Sequence, residues 1–86
     1  MSISHEKATE IVNRCISEIK NERIRQGYSQ RKLSSLAGVD HTTLHLIESG
    51  KRNPTLATLI LLYDVLREDN PSFDALKHTR VLDEIL

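Results

Sequence analysis

At 86 residues the chain has room for one hydrophobic core, since a second would need roughly 50 residues more, so 1–86 is read as a single domain. Only 3 Gly and 2 Pro, no alternating β-branched run, and apolar residues spaced by three and four exclude a β fold and predict an all-α class. The longest apolar run, Leu59 to Tyr63, falls far short of the roughly 18 residues that cross a bilayer, and no apolar signal segment opens the sequence. One cysteine, Cys15, cannot form an internal disulfide, which points to a reducing cytoplasm. Net charge is zero but segregated: residues 19–67 hold eight basic against four acidic residues, while residues 68–86 hold two against five. A positive middle is the footprint of a polyanion partner.

In chain order, a long N-terminal helix runs from Ser4 to Gln26, with Ala8, Ile11, Val12, Cys15, Ile16, Ile19 and Arg23 on one stripe and Gly27 as its stop. A short second helix, Gln30 to Ala37, places Leu33, Leu36 and Ala37 on one side. Gly38 supplies a turn, and Asp40 caps a third helix that reaches Glu48. After the loop Ser49 to Pro54, a fourth helix follows Thr55 with Leu56, Leu59, Ile60, Tyr63 and Leu66 facing the core and Leu61, Leu62 and Val65 pointing elsewhere. A last helix starts at Phe73. Ser29, Asp40, Thr55 and Ser72 are the capping residues. Tyr28 with Leu33, Val39 with Leu44, Pro54 with Leu59 and Pro71 with Leu76 repeat the spacing of a hydrophobic staple. The surplus of apolar residues in the last two helices predicts a homodimer interface made of Leu62, Val65, Phe73, Leu76, Val81, Leu82 and Ile85.

With Leu44 and Ile47 facing inward and about 100° turned per residue, Thr42, His45, Leu46 and Ser49 point out of the third helix, flanked by His41 and Thr43. The threonine hydroxyls and methyls and the imidazoles can meet base edges in a major groove, and the helix N-terminus favours phosphate. The same threonines also simply fill a first turn. An outward Leu46 meets either a thymine methyl or a protein partner. His41, His45 and Glu48 share a helical spacing compatible with metal, but Glu48 is expected to turn inward and no cysteine is near, so no metal or other cofactor is expected. No nucleophile sits beside a base and no glycine-rich phosphate cradle occurs, so no enzymatic activity is expected.

The segment IRQGYSQRKLSSLAGVDHTTLHLIESGKRNPTLATLILLYDVL, within about residues 19–76, resembles the lambda-repressor-like, XRE/Cro type helix-turn-helix family. The resemblance implies a five-helix bundle whose second and third helices form the helix-turn-helix. It also implies a homodimer on a pseudo-palindromic operator, with the third helix in the major groove of double-stranded DNA. His41, Thr42, Thr43, His45 and Leu46 occupy the family's base-reading positions. Ser29, Gln30, Arg31, Lys51, Arg52 and Asn53 fall where phosphates are met, and Gln30 can also brace the reading helix. Glu48 matches a structural position whose partner is Arg23. Ser34 stands where alanine is commonest, Leu46 and Ser49 where many members are polar or basic, and the N-terminal helix is longer than the minimal pattern.

Two functions follow as expectations. The first is a cytoplasmic bacterial or phage transcriptional regulator, closest in plan to restriction-modification controller proteins, with no membrane or small-molecule ligand. The second is a protein-interaction module, an antitoxin or coactivator, on the same scaffold. Zero net charge, Leu46 and the apolar tail keep the second open.

Overall fold

The computed structural model describes residues 3–75 and 77. Four helices follow one another, α1 (His5–Arg25), α2 (Gln30–Ala37), α3 (His41–Glu48) and α4 (Leu56–Asp69), and no strand occurs among the described residues. Each helix begins at a capping side chain. Ser4, Ser29, Asp40 and Thr55 accept bonds from the backbone N–H groups of Lys7, Lys32, Thr43 and Thr58. Between α2 and α3 the chain turns at Gly38, whose φ of 70° lets the Val39 N–H reach back to the Ser34 carbonyl at 3.0 Å. Ser72, expected to cap a fifth helix, instead donates its hydroxyl to Asn70 Oδ1 at 2.8 Å. Most of that fifth helix lies outside the described residues.

Leu33, Leu44, Leu62 and Leu66 are fully enclosed and, with Ile19, Ala37, Leu59, Phe73 and Ala75, make the core between α1, α2, α3 and α4. Tyr63 and Phe73 pack with ring centroids 5.6 Å apart, and Arg67 lies over the Tyr63 ring. Cys15 is buried in α1, where burial pushes its thiol up from the ordinary value.

Two faces differ from the sequence expectation. In α2 the inward stripe is Leu33, Ser34 and Ala37, and Leu36 is exposed. In α4 it is Leu59, Leu62 and Leu66, with Tyr63 and Val65 at its edges, whereas Leu56, Ile60 and Leu61 are exposed. In α4 apolar residues outnumber the positions the core can take, so periodicity gives a period without a phase and packing against the neighbouring helices chooses; in α2 that packing takes the small Ser34 inward in place of Leu36. The dimer assignment changes accordingly. Leu62 and Phe73 are buried in their own subunit and Val65 packs against the same core, so none needs a partner to leave water. Leu76, Val81, Leu82 and Ile85 lie outside the described residues.

The far end of α4 is tied to α1 by a polar cluster. Glu22, which the sequence reading passed over, is buried and pairs with Arg25. It also accepts from Gln26 Nε2 at 2.6 Å, and the same amide donates to the Leu66 carbonyl at 2.8 Å. Tyr28 adds a hydroxyl bond to Asp69 at 3.1 Å. Hydrogen bonding to Arg25 is the main reason the Glu22 carboxyl is held down at about 2, against the opposing effect of burial.

Two measurements test this packing. Ser34 Oγ is buried without a hydrogen-bond partner among the described residues, so Ser34→Ala should raise stability by about 0.5–2 kcal/mol in urea unfolding. A destabilised variant would show that the hydroxyl is satisfied. For Glu22 the folded value lies below the unfolded one, so its stabilisation is present above pH 4.5 and fades as pH falls toward about 2. Solvent around the exposed Arg25 weakens the pair. Glu22→Gln should therefore cost about 1–2 kcal/mol at neutral pH, a gap that narrows in melts between pH 4.5 and 2.

Candidate nucleic-acid interface

The outward side of α3 follows from its inward side. Leu44 and Ile47 are buried, which leaves Thr42 and His45 exposed and His41, Thr43 and Leu46 half-buried at the margins. Gly50, with φ of 78°, ends the helix by letting the Lys51 N–H bond the Leu46 carbonyl at 2.9 Å. This return places Lys51, Arg52 and Asn53, all exposed, directly after the outward face of α3. Arg52 Nη1 reaches Thr43 Oγ1 at 3.3 Å, so the loop and the first turn of α3 touch. Ser49 spends its hydroxyl on the Leu46 carbonyl at 3.1 Å.

The start of α2 lies beside this face. Gln30 Oε1 is 3.3 Å from His45 Nδ1, while Gln30 Nε2 donates to Glu48 Oε1 at 3.0 Å. Ser29 and Arg31 are exposed on either side of it. Lys32, which the sequence reading did not single out, is a further exposed cation there. Its clue was its place next to Arg31 at a helix start.

Under the face, Glu48 turns inward. Arg23 Nε–H donates to its Oε2 and Nη2 to its Oε1, both at 2.8 Å, with side chains only 11% and 2% exposed. The third guanidinium nitrogen, Nη1, donates to the Tyr28 carbonyl at 2.8 Å. One planar cation thus joins α1, the α1–α2 turn and the end of α3. With both oxygens of Glu48 engaged, His41 and His45 have no inward carboxylate to share a metal with. Among the described residues no group of three or more His, Cys, Asp or Glu side chains could hold one.

Two short helices across a glycine turn, the second with a bare polar face flanked by cations, are the geometry of a helix-turn-helix. A family model described as helix-turn-helix matches residues 19–69, more than half of the chain. The chain belongs to the lambda-repressor-like, XRE/Cro type helix-turn-helix family. That family is a DNA-binding, non-enzymatic domain type. Comparisons with curated proteins and with solved structures gave no match. Among the described residues no helix is long and apolar enough to cross a membrane.

The family position of Glu48 carries a definite energetic expectation. Arg23→Ala leaves a nearly enclosed carboxylate without its counter-charge and should cost about 3–5 kcal/mol. Arg23→Met combined with Glu48→Leu should recover part of that loss, because the apolar pair needs no counter-charge while the Tyr28 carbonyl and the Gln30 amide each lose a partner. Urea midpoints of the single and double variants decide it, and equal losses in both would assign the energy to packing instead.

Proposed function

We propose that this protein is a transcriptional regulator of a bacterium or phage, acting in the cytoplasm. It binds a pseudo-palindromic operator as a homodimer, with α3 in the major groove. The observation that carries the reading is the outer face of α3: Thr42 and His45 stand exposed, with the cations Arg31, Lys51 and Arg52 exposed on its two flanks. Cations spaced about a narrow polar helix suit a groove walled by phosphates. In this role His41, Thr42, Thr43, His45 and Leu46 read base edges, while Ser29, Gln30, Arg31, Lys51, Arg52 and Asn53 hold the backbone.

The homodimer is supported by the apolar side chains left in water, Leu56, Ile60 and Leu61 on α4. An exposed apolar group of that size suits a protein partner. The same observation serves the second reading, a scaffold that docks a different protein as an antitoxin or coactivator does.

Selection of bound sequences from random duplexes, read beside light-scattering mass, separates the two. A dimer that selects an inverted repeat, with half-sites about 34 Å apart, is expected. A monomer that shifts no DNA at low salt and captures a different protein in fixed stoichiometry would overturn the regulator. Within the selected site, Thr42→Ala should lose about 1–3 kcal/mol of specific binding while remaining folded. Lys51→Ala should weaken all DNA alike and flatten the log–log salt slope by about 0.9.

A further inference from the structure

We propose that the chain Arg23–Glu48–Gln30 fixes the proton of His45 on Nδ1, so that His45 meets DNA as an acceptor through Nε2 and selects an exocyclic amino group, that of cytosine or adenine. The inference rests on the DNA-reading role proposed above and adds the chemistry that role selects.

The argument runs outward from the buried end. Arg23 carries a permanent charge and only donors, and it holds both oxygens of Glu48 at 2.8 Å. The Glu48 carboxylate is acceptor-only, so the Gln30 group 3.0 Å from its Oε1 is the amide NH2. The amide of Gln30 is thereby prevented from flipping, and its carbonyl faces His45 Nδ1 at 3.3 Å. A carbonyl accepts and cannot donate, so Nδ1 bears the hydrogen. In a neutral imidazole the other nitrogen then has only a lone pair to offer.

His45 is exposed, and Nε2 lies on the ring edge away from the nitrogen that Gln30 holds. In the major groove, cytosine N4 and adenine N6 donate, whereas guanine N7 and O6 and thymine O4 accept. A lone pair meeting guanine or thymine faces another lone pair. The relay therefore converts a residue able to read either class into one that reads the amino-bearing base. Gln30 Nε2 keeps a second N–H beyond the one given to Glu48, so holding the tautomer does not compete with a phosphate contact.

Two measurements on the whole chain test the inference. Long-range proton–nitrogen correlation spectra of the free, nitrogen-15 labelled protein, taken where the ring is neutral, should show a pyrrole-type Nδ1 and a pyridine-type Nε2 for His45. Gln30→Leu should mix the two forms. A wild-type proton on Nε2 would overturn the inference without reference to DNA. In the second measurement the operator position that His45→Ala makes indifferent is rebuilt with a base lacking its amino group, purine for adenine or pyrimidin-2-one for cytosine. The wild type should lose about 3- to 10-fold in affinity, the scale of one neutral hydrogen bond, and His45→Ala should lose nothing. Unchanged binding to that analogue, with a loss on 7-deazaguanine instead, would make His45 a donor and sink the proposal. A selection that yields no motif would remove the reading role itself, and the base preference with it, whatever the tautomer.

Discussion

The paired charges of Arg23 and Glu48 constrain everything else in this small bundle. Their side chains are 11% and 2% exposed, so each depends on the other to avoid the cost of an isolated buried ion. That mutual requirement fixes the end of α3 against α1 and, through the Tyr28 carbonyl, fixes the turn from which α2 starts. A hydrophobic contact between Leu33, Leu44 and Leu62 could slide by a fraction of an ångström with little change in energy. A bidentate guanidinium–carboxylate pair tolerates far less, because both N–H directions must be met at once. The core holds the helices together, and the ion pair sets the pitch at which α3 is presented.

The same logic explains why the polar network does not stop at the pair. Glu48 Oε1 accepts from both Arg23 and Gln30, which brings the alignment of a buried group out to a half-buried one and then to exposed His45. Rigidity is transmitted along hydrogen bonds whose donor and acceptor roles are unambiguous at the buried end. A surface glutamine beside a surface histidine, without that anchor, would sample both amide orientations. Glu22, next to Arg23 in the last turn of α1, has a parallel role, joining Arg25 and Gln26 to the last turn of α4. Two carboxylates, each enclosed and each answered by an arginine, thus clamp α1 to α3 and to α4.

How much of this could be read from the residues depended on whether the signal was local. Ser29, Asp40 and Thr55 bond within three residues of themselves, and their side chains suit a cap and little else, so the helix starts were legible. The outward face of α3 was legible because Leu44 and Ile47, three residues apart, share one side of the helix and Leu46 falls off it. In α4 only Thr58 and Asp64 interrupt the apolar residues from Leu56 to Leu66, so Leu62 looked like a partner-facing residue and Ile60 like a core one, and the structure exchanges them. In α2 both Ser34 and Leu36 flank the Leu33–Ala37 pair, and the structure turns the small Ser34 inward. Arg23 and Glu48 are 25 residues apart, and neither residue type announces a distant partner; the family pattern carried that pairing. Glu22 was hidden because an acidic residue on a long helix usually faces solvent, and its link to α4 runs through Gln26, which donates to the Leu66 carbonyl.

The internal pairing also changes how the net charge of zero should be understood. Of the eight basic residues between 19 and 67, Arg23 and Arg25 are answered by Glu48 and Glu22, and Arg67 lies over the Tyr63 ring. Lys20 lies on α1, so the exposed cations beside α2 and α3 are Arg31, Lys32, Lys51 and Arg52. If each neutralised one phosphate, the log–log salt dependence of binding would have a slope of roughly −3 to −4 per subunit. In the proposed role, so few phosphate contacts would give weak attachment to arbitrary DNA, while short-range contacts from α3 would be far less sensitive to ions. A modest electrostatic share would leave discrimination to the side chains that touch bases, which would make their exact donor and acceptor character matter more. In the proposed role, the geometry held by a buried ion pair and the choice among base pairs are linked through a single glutamine.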